Sequence, residues 1–263
     1  MPAKKTTPLR LVLTQRADLA APLAAALRAR GARPLQVPVT RWLPPPNPAR
    51  YDAALAKAHA RAYDWILFSN PHTVHYFFKR YRELFGNVRG LAGGRMGAYG
   101  PMTGKALRAM RVKPAAVAAD HKTKLILEAV KPVKGQRFLV IRGDSKHATE
   151  NVPQALKKLG ACVDVLQGYA VEVDTRDLTG AAADMLQNGA DWLVFSSALA
   201  IQHFNRRFNT RSLLRRFPNL RVAVTNITLC PALKKTGIPI PPPVIARPND
   251  PRDLLKKILA RRM

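Results

Sequence analysis

The feature that most constrains the fold is an internal repeat whose two copies begin at different points of the chain. The hexapeptide Asp64–Ser69 (DWILFS) recurs 127 residues later as Asp191–Ser196 (DWLVFS). Two further pairs of segments repeat at offsets of 126 and 129 residues, namely 95–114 with 221–240 and 30–32 with 159–161. The second copy therefore starts in the second half of the chain and is completed by the N-terminus.

Short apolar runs alternate with helical patterns along the chain, which is typical of parallel sheets in the α/β class. The chain opens with a predicted strand over 9–13, a helix over 17–30 that ends at Gly31, and a strand over 35–39. Later strands are predicted at 64–69, 95–99, 138–141 and 163–166, and helices at 76–85, 105–110 and 152–159. Four prolines between Pro44 and Pro48 predict an exposed connector outside any helix or central strand.

Together, the repeat and the connector predict two domains, one of them discontinuous. The discontinuous domain would comprise 1–41 plus 174–263, and the inserted domain 49–169. The linkers would be 42–48 and 170–173. Two crossings of the chain make a hinge, so we expect a ligand to bind in a cleft between the domains.

The loops that follow the predicted strands are rich in small, hydroxylic and glycine residues. In parallel sheets, ligands bind beyond the carboxyl ends of the strands. Helices begin in the same loops, so free backbone N–H groups and the helix dipole would favour carboxylates or phosphates. The alternative is that these residues are only helix N-caps. The candidate binding residues are Ser69, Asn70, Gly100, Pro101, Thr103, Arg142, Gly143, Ser196, Ser197, Thr225, Asn226 and Thr228.

No common catalytic or metal-binding motif occurs in the sequence. There is no GxSxG elbow, Walker loop or GxGxxG, and the loops hold no paired carboxylates. His72 and His75 have no carboxylate near them in sequence, so we expect no metal site. The two cysteines, Cys162 and Cys230, form neither a disulfide framework nor a zinc pattern, and we expect them to pack as small apolar groups. An enzyme of this kind would act by shaping and polarising its substrate.

The positive charge is large and unevenly distributed. The formal net charge is +28. Residues 65–119 carry nine basic groups and one acid, and 192–249 carry nine and none, whereas 120–191 carry ten of each. Nucleic acid, an anionic membrane or a polyanionic substrate could balance such charge. No apolar run is long enough to span a membrane and the start lacks a signal peptide core, so we expect a cytoplasmic protein.

Four segments of the sequence resemble the uroporphyrinogen-III synthase family, and the resemblance extends from about Leu11 to about Leu259. The segments are Asp64–Pro71 (DWILFSNP), Ala98–Leu107 (AYGPMTGKAL), Val140–Gly143 (VIRG) and Gly160–Tyr169 (GACVDVLQGY). The resemblance implies two flavodoxin-like α/β domains joined by a two-stranded linker, one of them discontinuous. It also implies no metal or organic cofactor, and we expect a monomer.

The resemblance also implies a reaction. The family closes hydroxymethylbilane, a linear tetrapyrrole with eight carboxylates, into a macrocycle and inverts its last ring, ring D. The family's tyrosine at the end of the inserted domain matches Tyr169, which would hydrogen-bond the departing hydroxyl as a weak general acid. The alternative is that Tyr169 only anchors the linker by packing. Ser69 and Thr103 match family positions that face the cleft, and Ser196 and Ser197 match the equivalent loop of the other domain. A positively charged cleft would suit such a substrate.

One loop departs from the family pattern, and other functions stay open. The family keeps Gly-Pro-x-Thr in its second copy, where this chain has Asn226–Leu229 (NITL). A degenerate paralogue that binds but turns over poorly is therefore one alternative. A nucleic-acid-binding protein is another, because arginines and phenylalanines interleave over 204–221. A solvated basic face is the more ordinary interpretation of that segment, and we do not expect nucleic acid as a partner. A periplasmic-type binding protein with a hinge is a third, against which the missing signal peptide argues.

Overall fold

The computed structural model describes residues 8–91, 93–144, 151–236, 244–246 and 250–260. It confirms the α/β class, with two five-stranded parallel sheets and a two-stranded antiparallel sheet. The contacts within the chain divide it into two compact units. We call Met1–Arg41 with Glu172–Met263 the discontinuous unit and Trp42–Val171 the inserted unit.

In chain order, the described strands are β1 (Arg10–Leu13), β2 (Arg33–Gln36), β3 (Thr40–Leu43), β4 (Trp65–Phe68), β5 (Arg95–Ala98), β6 (Ala116–Val117), β7 (Arg137–Arg142), β8 (Cys162–Gln167), β9 (Ala170–Val173), β10 (Trp192–Phe195), β11 (Arg221–Val224) and β12 (Val244–Ile245). The described α-helices are α1 (Ala17–Arg28), α2 (Pro48–His59), α3 (Pro71–Phe85), α4 (Pro101–Ala109), α5 (Thr123–Ala129), α6 (Val152–Lys158), α7 (Ala181–Asn188), α8 (Ala198–Phe208), α9 (Thr210–Arg216), α10 (Cys230–Lys235) and α11 (Pro251–Ala260).

The two parallel sheets have the same spatial order but different chain order. The sheet of the discontinuous unit runs β12-β11-β10-β1-β2, and that of the inserted unit runs β6-β5-β4-β7-β8. Counted along the chain, the first sheet has the 2-1-3-4-5 order of flavodoxin. The inserted sheet has the same spatial arrangement, but its first strand in the chain is the central strand, β4. The permuted repeat of the sequence is thus a permuted repeat of the sheet.

Each sheet is covered by helices on both faces, which is why its strands are nearly continuous apolar runs. In the inserted unit, α2, α3 and α4 pack on one face and α5 and α6 on the other. Helix α3 shows the cause clearly, because Val74, Phe77, Phe78 and Tyr81 recur with helical spacing and are all fully buried. In the discontinuous unit, α1 and α11 cover one face, and α7, α8, α9 and α10 cover the other.

The repeated Asp-Trp motif lies at the amino ends of the strands and is structural. The carboxylate of Asp64 accepts a hydrogen bond from the backbone N–H of Arg137 at 2.8 Å, and that of Asp191 accepts one from Arg10 at 2.7 Å. In both units the next strand also places an arginine on the tryptophan ring, with Arg95 4.8 Å from Trp65 and Arg221 5.8 Å from Trp192. The motif therefore joins neighbouring strands at the edge opposite the candidate loops.

The expected two-stranded linker is the pair β3 and β9. The expectation that all of the proline-rich segment lies outside helices is wrong for Pro48. This proline is the first residue of α2, where its missing N–H costs nothing. The side chain of Asn47 caps the same helix by accepting the N–H of Arg50 at 3.0 Å.

Both cysteines are free, and their environments differ. Cys230 packs against the core of the discontinuous unit, as expected. The same expectation is wrong for Cys162, which is exposed at the start of β8. Among the described residues, no group of three or more His, Cys, Asp or Glu side chains is placed to hold a metal ion. None of the described helices is both long enough and apolar enough to cross a membrane.

Candidate functional site

Tyr169 lies between β8 and β9 in the inserted unit, and its side chain is held by contacts from several elements. Only 8% of the residue is exposed. Its hydroxyl oxygen accepts a hydrogen bond from Nδ2 of Asn70 at 3.0 Å. Within the described residues the phenolic O–H makes no hydrogen bond of its own. The oxygen is thus fixed in place while its proton stays available to a ligand.

Asn70 is positioned by the start of helix α3. Its Oδ1 accepts the backbone N–H of Thr73 at 3.1 Å, and its own N–H donates to Oγ1 of Thr73 at 3.3 Å, which forms a capping box. The amide group that caps the helix therefore also presents Nδ2 to Tyr169. The N-cap role expected as the alternative for this residue and its contact with Tyr169 occur together.

Ser69 and Gly143 complete the network around Asn70. The Ser69 hydroxyl oxygen accepts Nδ2 of Asn70 at 3.3 Å and the backbone N–H of Gly143 at 3.2 Å. A Cβ on Gly143 would lie 2.5 Å from the Tyr169 hydroxyl, so the close approach of backbone and phenol requires glycine here. The structure therefore brings four of the predicted residues together, from the loops after β4, β7 and β8.

Arg142 contributes a positive charge at the same edge. It is the last residue of β7 and is half-buried. Its guanidinium makes no ion pair with any residue that the structure describes. Its carbonyl accepts the N–H of Gly168 at 2.7 Å, which links the ends of β7 and β8.

Three aromatic residues that the sequence analysis did not predict surround Tyr169. The His72 ring meets that of Tyr169 edge-on at 5.7 Å, and the Tyr76 ring stacks on it at 6.1 Å. Trp42 of β3 in turn stacks on His72 at 4.8 Å. His72 and Tyr76 are four residues apart on α3, and this spacing was the only local signal that they share a face.

Burial decides the protonation state of Tyr169. It raises the pKa of the phenol, and the charges of Asp144 and Tyr76 raise it further. The hydrogen bond from Asn70 opposes this effect because it stabilises the phenolate. The net pKa is above the ordinary value of 10.0, so the phenol is neutral and proton-bearing near pH 7.

The loop after β5 lies at the same edge of the inserted sheet. Gly100 is the residue before α4 and has φ of +101°, a conformation that favours glycine. Pro101 is the first residue of the helix. Thr103 is fully buried, and its Oγ1 is 3.5 Å from the carbonyl oxygen of Tyr99. The backbone of Gly100 and Pro101 is thus at the edge, whereas the Thr103 hydroxyl faces its own helix.

In the discontinuous unit the predicted residues lie at the corresponding edge. Ser196 follows β10, and Oγ of Ser197 caps α8 by accepting the N–H of Ala200 at 3.1 Å. Thr225 follows β11, and Oδ1 of Asn226 accepts the N–H of Thr228 at 3.0 Å. Ser197 and Asn226 are therefore helix caps, and Ser196 and Thr225 lie directly before them.

The altered loop of the discontinuous unit changes where its helix begins. By the offset of 126, Pro101 corresponds to Ile227, which starts a 3-10 turn that ends at Leu229. Helix α10 begins only at Cys230. The exposed Thr228 lies within the turn. The departure from the family pattern is therefore a real change of backbone path.

The two edges also differ at the position of the tyrosine. By the repeat offsets, Tyr169 corresponds to Thr40 and Tyr76 to His203. Those two residues also contact each other, with Thr40 Oγ1 3.1 Å from Nδ1 of His203. The pair is buried. The contact is thus repeated in both units, but only the inserted unit places a phenol there.

Part of the arginine-rich segment 204–221 contacts the rest of the discontinuous unit, although five of its six arginines are exposed. The Arg207 guanidinium donates to the carbonyl oxygens of Pro38, Asp174 and Arg176 at 3.2, 2.7 and 3.0 Å. Burial lowers the pKa of this guanidinium. Arg216 lies 5.4 Å from the ring of Phe217. Arg207 therefore binds the backbone of both segments that connect this unit to the inserted unit, at Pro38 before β3 and at Asp174 and Arg176 after β9.

Comparison with known proteins gives a consistent result. Residues 21–256 match the family model described as uroporphyrinogen-III synthase HemD. No curated protein matches the chain. A mutant uroporphyrinogen III synthase from Thermus thermophilus is 18% identical, with a TM-score of 0.61 over 96% of this chain and 98% of that one. The uroporphyrinogen-III synthetase of Helicobacter pylori is 16% identical, with a TM-score of 0.60 over 97% of this chain and 100% of that one.

At these identities the two structures support the shared fold alone. The family match is the stronger finding because it extends over nearly the whole sequence. With this match, the chain belongs to the uroporphyrinogen-III synthase family.

Proposed function

We propose that the protein is a uroporphyrinogen-III synthase, a hydro-lyase that cyclises hydroxymethylbilane with inversion of ring D. The observation that carries the proposal is the Tyr169 hydroxyl, which is neutral, fixed by Asn70 and left with its proton unused. The proposed enzyme acts in the cytoplasm as a monomer and needs no metal or organic cofactor, as the family resemblance implies.

Tyr169 acts on the terminal hydroxyl of the substrate. Its O–H donates to that oxygen and transfers its proton as the carbon–oxygen bond breaks, so that water leaves and an azafulvene cation and a phenolate remain. The ring D carbon that is already bonded to the chain attacks this cation, and its older bond to the chain then breaks and leaves a new cation on the chain. The free carbon of ring D attacks the new cation and loses its proton to the phenolate, which inverts the ring and restores both charges. The rings of Tyr76 and His72 pack against the phenol of Tyr169. An electron-rich ring such as that of Tyr76 stabilises a nearby cation.

The substrate carboxylates bind to groups at the carboxyl ends of the strands. In the inserted unit these are Arg142 and the free backbone N–H groups at the starts of α3 and α4, next to Ser69 and Gly100. The loops with Ser196, Ser197, Thr225, Asn226 and Thr228 offer the same kind of group in the discontinuous unit. An array of this kind holds a flexible chain in a curled shape, which brings the reacting ends together.

The direct test is to supply hydroxymethylbilane and separate the uroporphyrin isomers after oxidation. We expect isomer III in excess over the isomer I that forms by spontaneous closure. Isomer I alone at all enzyme concentrations would refute the catalytic proposal. If the substrate also binds saturably in that case, the protein is the degenerate paralogue that the altered loop at Asn226 suggests.

The role of Tyr169 is tested by Tyr169→Phe. The variant keeps the stacked ring and loses only the hydroxyl, so we expect kcat to fall about 100-fold while KM changes little. Tyr63→Phe is the matched control. Its hydroxyl donates to Asp164 at 2.6 Å and takes no part in the Tyr169 network. An unchanged kcat for Tyr169→Phe would remove the residue from the mechanism and leave it an anchor of the linker.

A further inference from the structure

Seven exposed cations occur on or beside two helices of the inserted unit. These helices, α3 and α4, pack against each other. Arg82 of α3 reaches to within 3.8 Å of the sulfur of Met110, directly after α4. We call the set the α3/α4 basic surface, and its members are Lys79, Arg82, Arg89, Lys105, Arg108, Arg111 and Lys113.

The chain itself does not neutralise this surface. None of the seven cations forms an ion pair with a residue in the described part of the chain. The one acid of 65–119 is Glu83, and it pairs with Arg80, which also binds Asp52. Close like charges repel each other and destabilise a compact domain unless a partner supplies the counter-charge.

Most of the surface is separate from the candidate site of the same unit, and its nearest member is Lys105, about 6 Å along the axis from the start of α4. Helix α3 starts at the site with Pro71, and Arg82 lies about 16 Å further along its axis at 1.5 Å per residue. Arg108 is in the last turn of α4, and Arg111 and Lys113 follow its end. The positive block 65–119 therefore lies mostly away from the loops, so substrate binding does not account for it.

We propose that the α3/α4 basic surface binds the phosphate backbone of duplex nucleic acid without reading its sequence. Lys79 and Arg82 are three residues apart on their helix, as are Lys105 and Arg108, which spaces each pair about 4.5 Å along the axis. Phosphates follow one another at about 3.4 Å of axis per strand, so several cations meet one backbone. An arginine guanidinium group can donate two parallel hydrogen bonds to the oxygens of one phosphate.

The chemistry of the surface favours a duplex over other polyanions. Single-stranded nucleic acid is bound by exposed aromatic rings on which its bases stack. Here Phe77, Phe78 and Tyr81 are buried, and Phe85 packs on His59. Stable membrane anchoring needs inserted apolar side chains beside the basic ones. The large hydrophobic side chains that α3 and α4 expose are Leu84 and Met102, and they lie near opposite ends of their helices.

The experiment measures fluorescence anisotropy of a labelled 30-base-pair DNA of mixed sequence with the full chain, over 50–300 mM NaCl. We expect the logarithm of the affinity to fall linearly with the logarithm of salt concentration. The triple variant Arg82→Gln, Arg108→Gln, Lys113→Gln should bind at least about tenfold more weakly at 100 mM, and the magnitude of the salt slope should fall by about 2–3. A scrambled DNA sequence should bind equally well.

The matched control is Lys124→Gln, Lys157→Gln, Lys158→Gln, which removes the same charge from exposed positions on the opposite face of the same sheet. It should bind within twofold of the unchanged protein. Equal losses in both triples would overturn the proposal, because net charge alone would then explain binding. So would tighter binding to vesicles with 30% anionic lipid or to polyaspartate than to DNA. Isomer III formation by the surface triple variant should match that of the unchanged protein. This measurement separates the nucleic-acid test from the test of the synthase proposal.

Discussion

At the scale of single residues, the candidate site depends on how closely backbone and side chains approach one another. Ser69, Asn70 and Gly143 could be predicted because the carboxyl ends of parallel strands meet at one edge. The contacts of His72 and Tyr76 with Tyr169, and of Trp42 with His72, could not be predicted. Their ring contacts join residues up to 97 positions apart, and no local pattern encodes such contacts.

Gly143→Ala should displace the phenol of Tyr169. The new Cβ would be 2.5 Å from the hydroxyl oxygen and 3.2 Å from Nδ2 of Asn70, so the hydrogen bond between them must break. We expect kcat to fall at least about tenfold, with a loss of stability of about 1–3 kcal/mol from overpacking. Gly94→Ala is the control, because its nearest contact would be 3.4 Å. Equal activity in the two variants, measured by isomer III formation, would contradict the geometry.

Asn70→Asp should raise the pKa of Tyr169 further. Aspartate still caps α3, but it removes the N–H donor that lowers the pKa and adds a negative charge that disfavours the phenolate. We expect the ¹³Cζ signal of Tyr169 to titrate at higher pH than in the unchanged protein. Ser197→Asp is the control, since it changes the equivalent cap of α8. A Tyr169 titration that moves to lower pH would contradict the assignment.

At the scale of helices and strands, the sequence predicted which elements exist better than it predicted the residues at which they begin. The predicted helices 76–85 and 105–110 begin in the structure at Pro71 and Pro101, and α2 begins at Pro48 within the predicted connector. Each of these helices has proline as its first residue, where proline is favourable. For α2, the prolines between Pro44 and Pro48 were interpreted as excluding a helix, so no helix was predicted there.

Arg207→Met should destabilise the discontinuous unit. Three carbonyl oxygens on both chain connections would lose a charged donor. Hydrogen bonds to charged groups contribute about 1.5–3 kcal/mol each, and such losses are not additive, so we expect about 2–4 kcal/mol in urea unfolding. Arg206→Met is the control, because Arg206 is the adjacent, exposed arginine. Similar losses of unfolding free energy in both variants would show that the Arg207 hydrogen bonds do not stabilise the unit.

At the scale of the whole molecule, the repeat determines which parts can fold alone. The inserted unit contains all five strands of its sheet and both of its core clusters. The discontinuous unit needs β1 and β2 from the beginning of the chain and β10, β11 and β12 from the end. The sequence could predict this topology because the offsets of the repeat reveal the permutation directly.

A fragment of residues 40–173 should fold independently, since it includes the complete inserted sheet together with β3 and β9. We expect a dispersed ¹H–¹⁵N spectrum and cooperative unfolding in urea. The fragment 172–263 is the comparison and should not unfold cooperatively, because it lacks two of the five strands of its sheet. An unfolded 40–173 fragment would contradict the division into units.

The permuted sheet also has a consequence for synthesis on the ribosome. Strands β1 and β2 emerge first, but their neighbour β10 begins only at Trp192. At translation rates of about 5–20 residues per second, the N-terminal β-α-β segment waits on the order of 10–30 s for its partner. The inserted unit completes its sheet within that interval. The nascent segment from β1 to β2 is therefore the one most in need of a chaperone, although in the finished protein it forms part of a buried core.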